Sequence, residues 1–118
     1  MRGLRLTTSH IDGITVLAVG GDLDAVTKPD LAARLAAHFT GPGASLILDL
    51  SGVTFLDSSG LGLIADYHAR AREAGGMLAV AGADRARTRV LWLTGLADWL
   101  PVHDDVETAR TAIATISR

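Results

Sequence analysis

The sequence contains no cysteine, which excludes disulfide bonds, thiolate zinc sites and thiol nucleophiles. Aromatic residues make up only 4% of the chain, and no apolar run approaches the length that a membrane-spanning helix needs. The N-terminal segment, residues 1–8, also lacks the apolar stretch of a signal peptide. We therefore expect a cytoplasmic protein that is neither exported nor inserted into a membrane.

Neither sign of charge dominates, because 11 basic and 13 acidic residues are mixed along the chain and give a formal net charge of −2. Proteins that bind nucleic acids usually carry a basic face, so a nucleic-acid partner is not expected. The chain of 118 residues is 48% hydrophobic, which is enough to bury the core of one domain. We expect that domain to span residues 1–118, with no room for a second one.

The first part of the chain predicts two strands and a helix. Two β-rich runs, Leu4–Thr8 and Ile14–Gly20, flank an Asp12-Gly13 pair that is typical of a hairpin turn. Apolar residues then recur with helical spacing from Lys28 to Thr40, at Leu31, Leu35 and Phe39. Thr27 is expected to cap this helix in a capping box with Asp30.

The rest of the chain continues the alternation of strands and helices. Ser45–Leu50 predicts a central strand, and a helix ending at Gly75-Gly76 is predicted from an apolar face of Leu61, Ile64, Ala65, His68 and Ala71. The later elements are expected to be strand Met77–Ala81, a helix from Asp84 as cap to Leu93, a short strand within Leu100–His103, and a helix marked by Val106, Ala109, Ile113 and Ile116. The order β-β-α-β-α-β-α-β-α predicts a single α/β domain, with a mixed sheet of about five strands and four helices on one or both faces.

The polar segment Asp57-Ser58-Ser59-Gly60 lies between the central strand and the following helix. Open α/β sheets place functional sites at such strand ends, and a helix start favours negative charge. Two interpretations follow from these residues alone. In the first interpretation, the motif is structural, and one of Asp57 and Ser58 is a helix cap. In the second, a serine of the first turn is presented to partners as a phosphate acceptor.

The polar segment is one of four sequence motifs that occur in a fixed order along the chain. These motifs are Val19-Gly20-Gly21-Asp22-Leu23-Asp24, Leu46–Val53, Asp57–Gly62 and Leu91–Leu96. Together they make nearly the whole chain resemble the STAS domain of the anti-sigma-factor antagonist family. The resemblance implies that Ser59 accepts a phosphate from a partner that is both an anti-sigma factor and an ATP-binding serine kinase. It also implies that a phosphatase resets Ser59, and that Asp24, Asp57, Ser58 and Gly60 belong to the surface that faces the kinase.

On this resemblance the chain is a regulator of sigma-factor activity, of the kind used in stress response or sporulation, and not an enzyme. The unphosphorylated form binds its partner and frees the sigma factor. The alternative from another class is a STAS subunit that scaffolds a larger complex, such as a lipid transporter or a stress assembly, with Ser59 inert. Weak nucleotide binding, known in some relatives, stays open.

Other chemistries have less support. Asp22 and Asp24 are explained by a turn better than by a metal site. The segment around Ser59 lacks the first glycine of a hydrolase nucleophile elbow, and the chain has no P-loop. No ligand spacing relates the histidines, which are His10, His38, His68 and His103. Trp92 and Trp99 fit either core packing or an interface, and the sequence does not decide between them.

Overall fold

The computed structural model describes residues 3–98 and 100–116 and shows one α/β domain built on a five-stranded sheet. The strands are β1 (Arg5–Ile11), β2 (Ile14–Leu23), β3 (Ser45–Leu56), β4 (Met77–Ala81) and β5 (Val102–His103). The helices are α1 (Lys28–His38), α2 (Ser58–Glu73), α3 (Arg89–Leu93) and α4 (Val106–Ile116), with a 3-10 helix at Leu96–Asp98. This confirms the predicted fold class and element order.

The strands lie in the sheet in the same order as in the chain, β1-β2-β3-β4-β5. The first pair is antiparallel and all later pairs are parallel, which makes the sheet mixed. Asp12 and Gly13 form the predicted two-residue hairpin turn, with φ angles of 51° and 80°, and Ile11 pairs with Ile14. Such positive φ angles suit the Asp-Gly pair, because the side chain of Asp tolerates this region and Gly has no Cβ to oppose it.

Helices cover both faces of the sheet. On one face, α1, α2 and α3 pack against the larger core, which includes Leu31, Leu35, Leu48, Leu50, Ile64 and Leu91. On the other face, α4 packs Ala109 and Ile113 against Val16, Ile47 and Ala79. Because β3 contributes buried residues to both clusters, its continuous apolar run is explained by its central position. Burial of the side chain of Ile116 lies outside what the structure describes.

Two predictions for the start of α1 are wrong: the side-chain cap by Thr27 and the capping box of Thr27 with Asp30. Thr27 makes no side-chain cap to α1; its hydroxyl donates to the carbonyl oxygen of Asp22 at 2.6 Å. The Thr27 N–H donates to the Asp24 carboxylate at 3.1 Å, so the capping box with Asp30 does not form. The loop before α1 therefore closes around Asp24, and residue spacing alone does not distinguish this pairing from a capping box.

The predicted helix after Asp84 is also shorter than expected. The Asp84 carboxylate accepts hydrogen bonds from the N–H groups of Ala86 and Arg87, at 2.9 Å and 3.0 Å, but these bonds close a turn. The helix itself begins only at Arg89. A single aspartate can cap a turn or a helix, and the sequence gives the same pattern for both.

His68 is packed inside the domain, on the face of α2 that meets the sheet, where it is 2% exposed. Burial lowers the pKa of His68 below its usual value, because the charged imidazolium loses its hydration. A backbone hydrogen bond with Leu78 acts in the opposite direction, and the charge of Arg72 adds to the lowering. The neutral form of His68 is therefore the one that the fold favours.

Acidification is expected to weaken the fold through His68. Since the folded pKa lies below the unfolded value of 6.5, this contribution to stability is complete above that value and is lost as the pH falls toward the folded pKa. Thermal unfolding of the wild type and of His68→Leu, followed by circular dichroism at several pH values, measures the effect. The wild type should lose more stability than His68→Leu between neutral and mildly acidic pH; equal losses would assign the effect to other groups.

Candidate functional site

Strands β2 and β3 end at the same edge of the sheet, and hydrogen bonds join their ends. The two strands are parallel neighbours, with Asp22 paired to Phe55 and Leu23 to Leu56. The N–H of Asp57 donates to the carbonyl oxygen of Leu23 at 3.2 Å, and the hydroxyl of Thr54 donates to the Asp22 carboxylate at 2.6 Å. The position of the polar motif therefore depends on the ends of both strands.

Asp57 is the N-cap of α2. Its backbone is extended, and its carboxylate accepts a hydrogen bond from the N–H of Gly60 at 3.1 Å. This bond satisfies one of the N–H groups that a helix leaves unpaired at its start, and the carboxylate also has a favourable interaction with the helix dipole. The sequence left the cap open between Asp57 and Ser58, and the structure identifies Asp57.

Ser58 and Ser59 are the first two residues of α2. Ser58 is exposed and Ser59 is half-buried. The N-terminal end of a helix of this length carries a partial positive charge, so a negative group bonded to either hydroxyl would be stabilised there. The local electrostatics at the start of α2 therefore favour a negative charge over a positive one.

Gly60 permits close contact between α2 and the ends of the two strands. The residue is buried, and a Cβ atom built on it would lie 2.7 Å from Leu23 Cγ, 2.8 Å from Leu56 Cδ1 and 3.0 Å from the Leu23 carbonyl oxygen. These distances are shorter than ordinary van der Waals contacts. Gly60 thus sets how deeply the serine-bearing turn sits against β2 and β3.

Asp24 shapes the neighbouring loop. Its carboxylate accepts hydrogen bonds from the N–H groups of Val26 and Thr27, at 3.0 Å and 3.1 Å, and the N–H of Lys28 donates to its carbonyl oxygen at 2.8 Å. The loop is held in one conformation beside the start of α2. The structure accordingly brings the loops that carry Asp24 and Asp57 to one edge of the sheet.

The sequence did not single out several residues that surround this site. Val26, Phe55 and Leu93 are 69%, 50% and 75% exposed, although each is a large apolar residue. Phe55 and Leu93 line one groove with Ser58 and the start of α3. The exposure of Phe55 was not predicted, because the predicted strand ended at Leu50. Strand β3 continues six residues further, to Leu56, so the alternation of buried and exposed side chains in that part was not considered.

Trp92 is half-buried against the larger core, and the guanidinium of Arg85 lies over its ring at 4.2 Å. This favours packing over a free interface anchor at Trp92. Trp99 lies outside the described residues. Within residues 3–98 and 100–116 no helix is long and apolar enough to span a membrane.

Comparison with known proteins agrees with this geometry. The family model of the STAS domain matches residues 5–109. The anti-sigma-F factor antagonist RsfA of Mycobacterium tuberculosis is 31% identical over 112 residues, which cover 92% of this chain and 87% of the relative. Thus the similarity extends over almost the full length of both proteins.

Solved structures give the same architecture. A crystal structure of an anti-sigma factor antagonist from Mycobacterium paratuberculosis has a TM-score of 0.79 and 31% identity, and the match covers 94% of each chain. SpoIIAA, an anti-sigma factor antagonist solved in its unphosphorylated form, has a TM-score of 0.75 over 94% of this chain and 97% of that one, but its 20% identity shows the fold alone.

These features define a single α/β domain with a capped, serine-bearing helix start at one sheet edge. The chain belongs to the STAS domain family, and its relatives there include proteins named as anti-sigma factor antagonists.

Proposed function

We propose that this chain is an anti-sigma-factor antagonist controlled by phosphorylation of Ser59. The unphosphorylated form binds an anti-sigma factor that is also an ATP-dependent serine kinase, and the sigma factor is thereby released. The observation that carries this proposal is the start of α2, where Ser59 lies two residues after the cap Asp57, and Asp57 is bonded to the end of β2. The names of the relatives supply the class of partner.

In this proposal the chain is a substrate and a ligand, not an enzyme. The Oγ atom of Ser59 forms a bond to the γ-phosphorus of ATP while the bond to the bridging oxygen of the β-phosphate breaks and ADP leaves. The hydroxyl proton passes to a base of the kinase or to water. Hydrolysis of the phosphoserine by a phosphatase returns the chain to its binding form, and the cycle takes place in the cytoplasm.

The modification would change the charge of the surface more than its shape. A phosphoserine carries close to two negative charges and three acceptor oxygens. The helix start favours this charge. The hydrogen bonds that the carboxylates of Asp57 and Asp24 accept are retained, because a phosphate on Ser59 does not replace either side chain. The added charge therefore weakens binding to an acidic partner surface by a few kcal/mol while the fold persists.

We assign the neighbouring residues supporting roles on the same surface. Asp57 and Gly60 hold the turn that carries Ser59, one through its hydrogen bond and the other through its lack of a side chain. Asp24 fixes the adjacent loop. Ser58 is exposed and contacts the partner directly in this proposal.

A pull-down with wild type and Ser59→Asp tests the switch. We expect the wild type to retain a small ATP-binding kinase from native lysate and Ser59→Asp to lose it, because aspartate places a negative charge at the acceptor position. Mass spectrometry identifies the retained proteins, and circular dichroism verifies that each variant is folded. Ser9→Asp is the matched control, since Ser9 is exposed on β1 and lies in a different part of the sheet.

Equal capture of one partner by all three proteins would contradict the switch, whether or not that partner is a kinase. That result would support the scaffold alternative, in which the fold is kept and Ser59 is inert. Loss of binding in Ser9→Asp as well would show that the effect follows from added charge in general and not from the position of Ser59.

A further inference from the structure

An open groove with a volume of about 460 Å³ lies between the end of β3 and the segment that contains α3. It begins at the start of α2 and extends along α3. Its lining includes Phe55, Asp57, Ser58, Arg87, Arg89 and Leu93. The groove is therefore continuous with the turn that carries the proposed phosphate acceptor.

Part of the groove lining is apolar and open to solvent. Phe55 is 50% exposed and Leu93 is 75% exposed, and Val90, which also lines the groove, is half-buried. Large apolar side chains that stay exposed together are common where a partner inserts an apolar side chain of its own. This part of the groove has the character of a receiving pocket for one such side chain.

Another part of the lining is basic. Arg87 and Arg89 are both exposed, and within the described part of the chain neither forms an ion pair with a carboxylate. Arg85, by contrast, is used in the contact with Trp92. The one acidic group on the lining, Asp57, already accepts the N–H of Gly60. Two guanidinium groups are thus available to pair with carboxylates from outside.

We propose that this groove binds an acidic segment of the anti-sigma kinase that carries one large apolar side chain. That side chain lies between Phe55 and Leu93, and carboxylates beside it pair with Arg87 and Arg89. The proposal rests on the proposed function and adds to it a second contact surface and the chemistry of the segment that occupies it. Charge complementarity selects an acidic occupant.

The position of the groove also connects it to the switch. Ser58 lines the groove and Ser59 is the next residue in the same helical turn. A phosphate at this turn adds negative charge at the end where the acidic segment enters. The segment is then repelled by the phosphate, and it competes with the phosphate for the same arginines.

The test uses the kinase that the wild-type chain retains in the pull-down, produced in recombinant form, with affinity measured by isothermal titration calorimetry. Arg87→Gln/Arg89→Gln should weaken binding at least 10-fold at low ionic strength, and the loss should shrink as salt is added. Leu93→Ser should weaken binding with little dependence on salt. The matched control, Arg34→Gln/Arg72→Gln, removes the same charge from exposed positions outside the groove and should bind within about 2-fold of wild type.

Each outcome decides between the two proposals. If wild type binds no such kinase, the proposed function fails and the groove proposal falls with it. If the kinase binds and Ser59→Asp abolishes binding while the groove variants bind like the control, the function stands and the groove proposal alone is overturned. If the groove variants change self-association in sedimentation experiments and leave kinase affinity unchanged, the occupant is a second copy of this chain and the proposal is likewise overturned.

Discussion

With Ser59→Ala, the partner kinase and ATP should add no phosphate to the chain, whereas Ser58→Ala should still accept one. The two substitutions remove the same atom from adjacent residues at the start of α2, so they form a matched pair. Intact-protein mass spectrometry after incubation with the kinase measures the number of phosphoryl groups. Fragmentation of the wild-type product then locates the phosphate.

Exposure and the family motif point to different serines. Ser58 is exposed, while Ser59 is half-buried, so access alone favours Ser58. The family motif favours the second serine. Phosphate on Ser58 in the Ser59→Ala chain would contradict the assignment of Ser59 as the acceptor and would move the switch to Ser58.

Gly60→Ala should destabilise the domain by about 1–3 kcal/mol, which is the usual cost of forcing an extra methyl group into a filled site. The new Cβ would meet two leucine side chains and a carbonyl oxygen at 3.0 Å or less. Either α2 shifts away from β2 and β3 or the leucines leave their packed positions. The shift would also move Ser59, so kinase binding should fall together with stability.

Gly62→Ala is the control for that substitution. Gly62 lies two residues further along the same helix, and a Cβ built there has nothing within 4 Å. Because alanine favours the helix over glycine by about 1 kcal/mol, Gly62→Ala should stabilise the domain by up to that amount. Urea unfolding of both variants measures the difference, and a Gly60→Ala protein as stable as Gly62→Ala would contradict the close packing at Gly60.

Much of the fold could be predicted from the sequence because it depends on periodic burial. The strand Met77–Ala81 was predicted with the bounds that the structure has, and Asp12-Gly13 identified the hairpin turn. What the sequence could not give includes the choice that a polar group makes among several nearby hydrogen-bond partners. The side chain of Thr27 was expected to cap α1. Instead, its hydroxyl donates to the carbonyl oxygen of Asp22 near the end of β2, and its N–H donates to the Asp24 carboxylate.

The candidate site could be predicted in part for the same reason. The motif at Ser58 and Ser59 is local, so its place between a strand and a helix was visible in the sequence. The groove beside it was not, because it forms only where the end of β3 meets the segment before α3, and Phe55 and Arg87 are 32 residues apart in the chain. The spacing of such residues in the sequence does not predict that they lie close together. The topology of the sheet brings them together.

The order of the strands in the sheet bears on how the chain is assembled. Each strand pairs with the strand just before it, so during synthesis a new strand can be added at one growing edge without being inserted between strands already in place. The ion pair between Arg110 on α4 and Asp12 in the hairpin turn, with 3.0 Å between the charged atoms, can form only after α4 has been synthesised. The strand order therefore permits assembly from the hairpin outward, and the ion pair of Arg110 then ties α4 back to that hairpin.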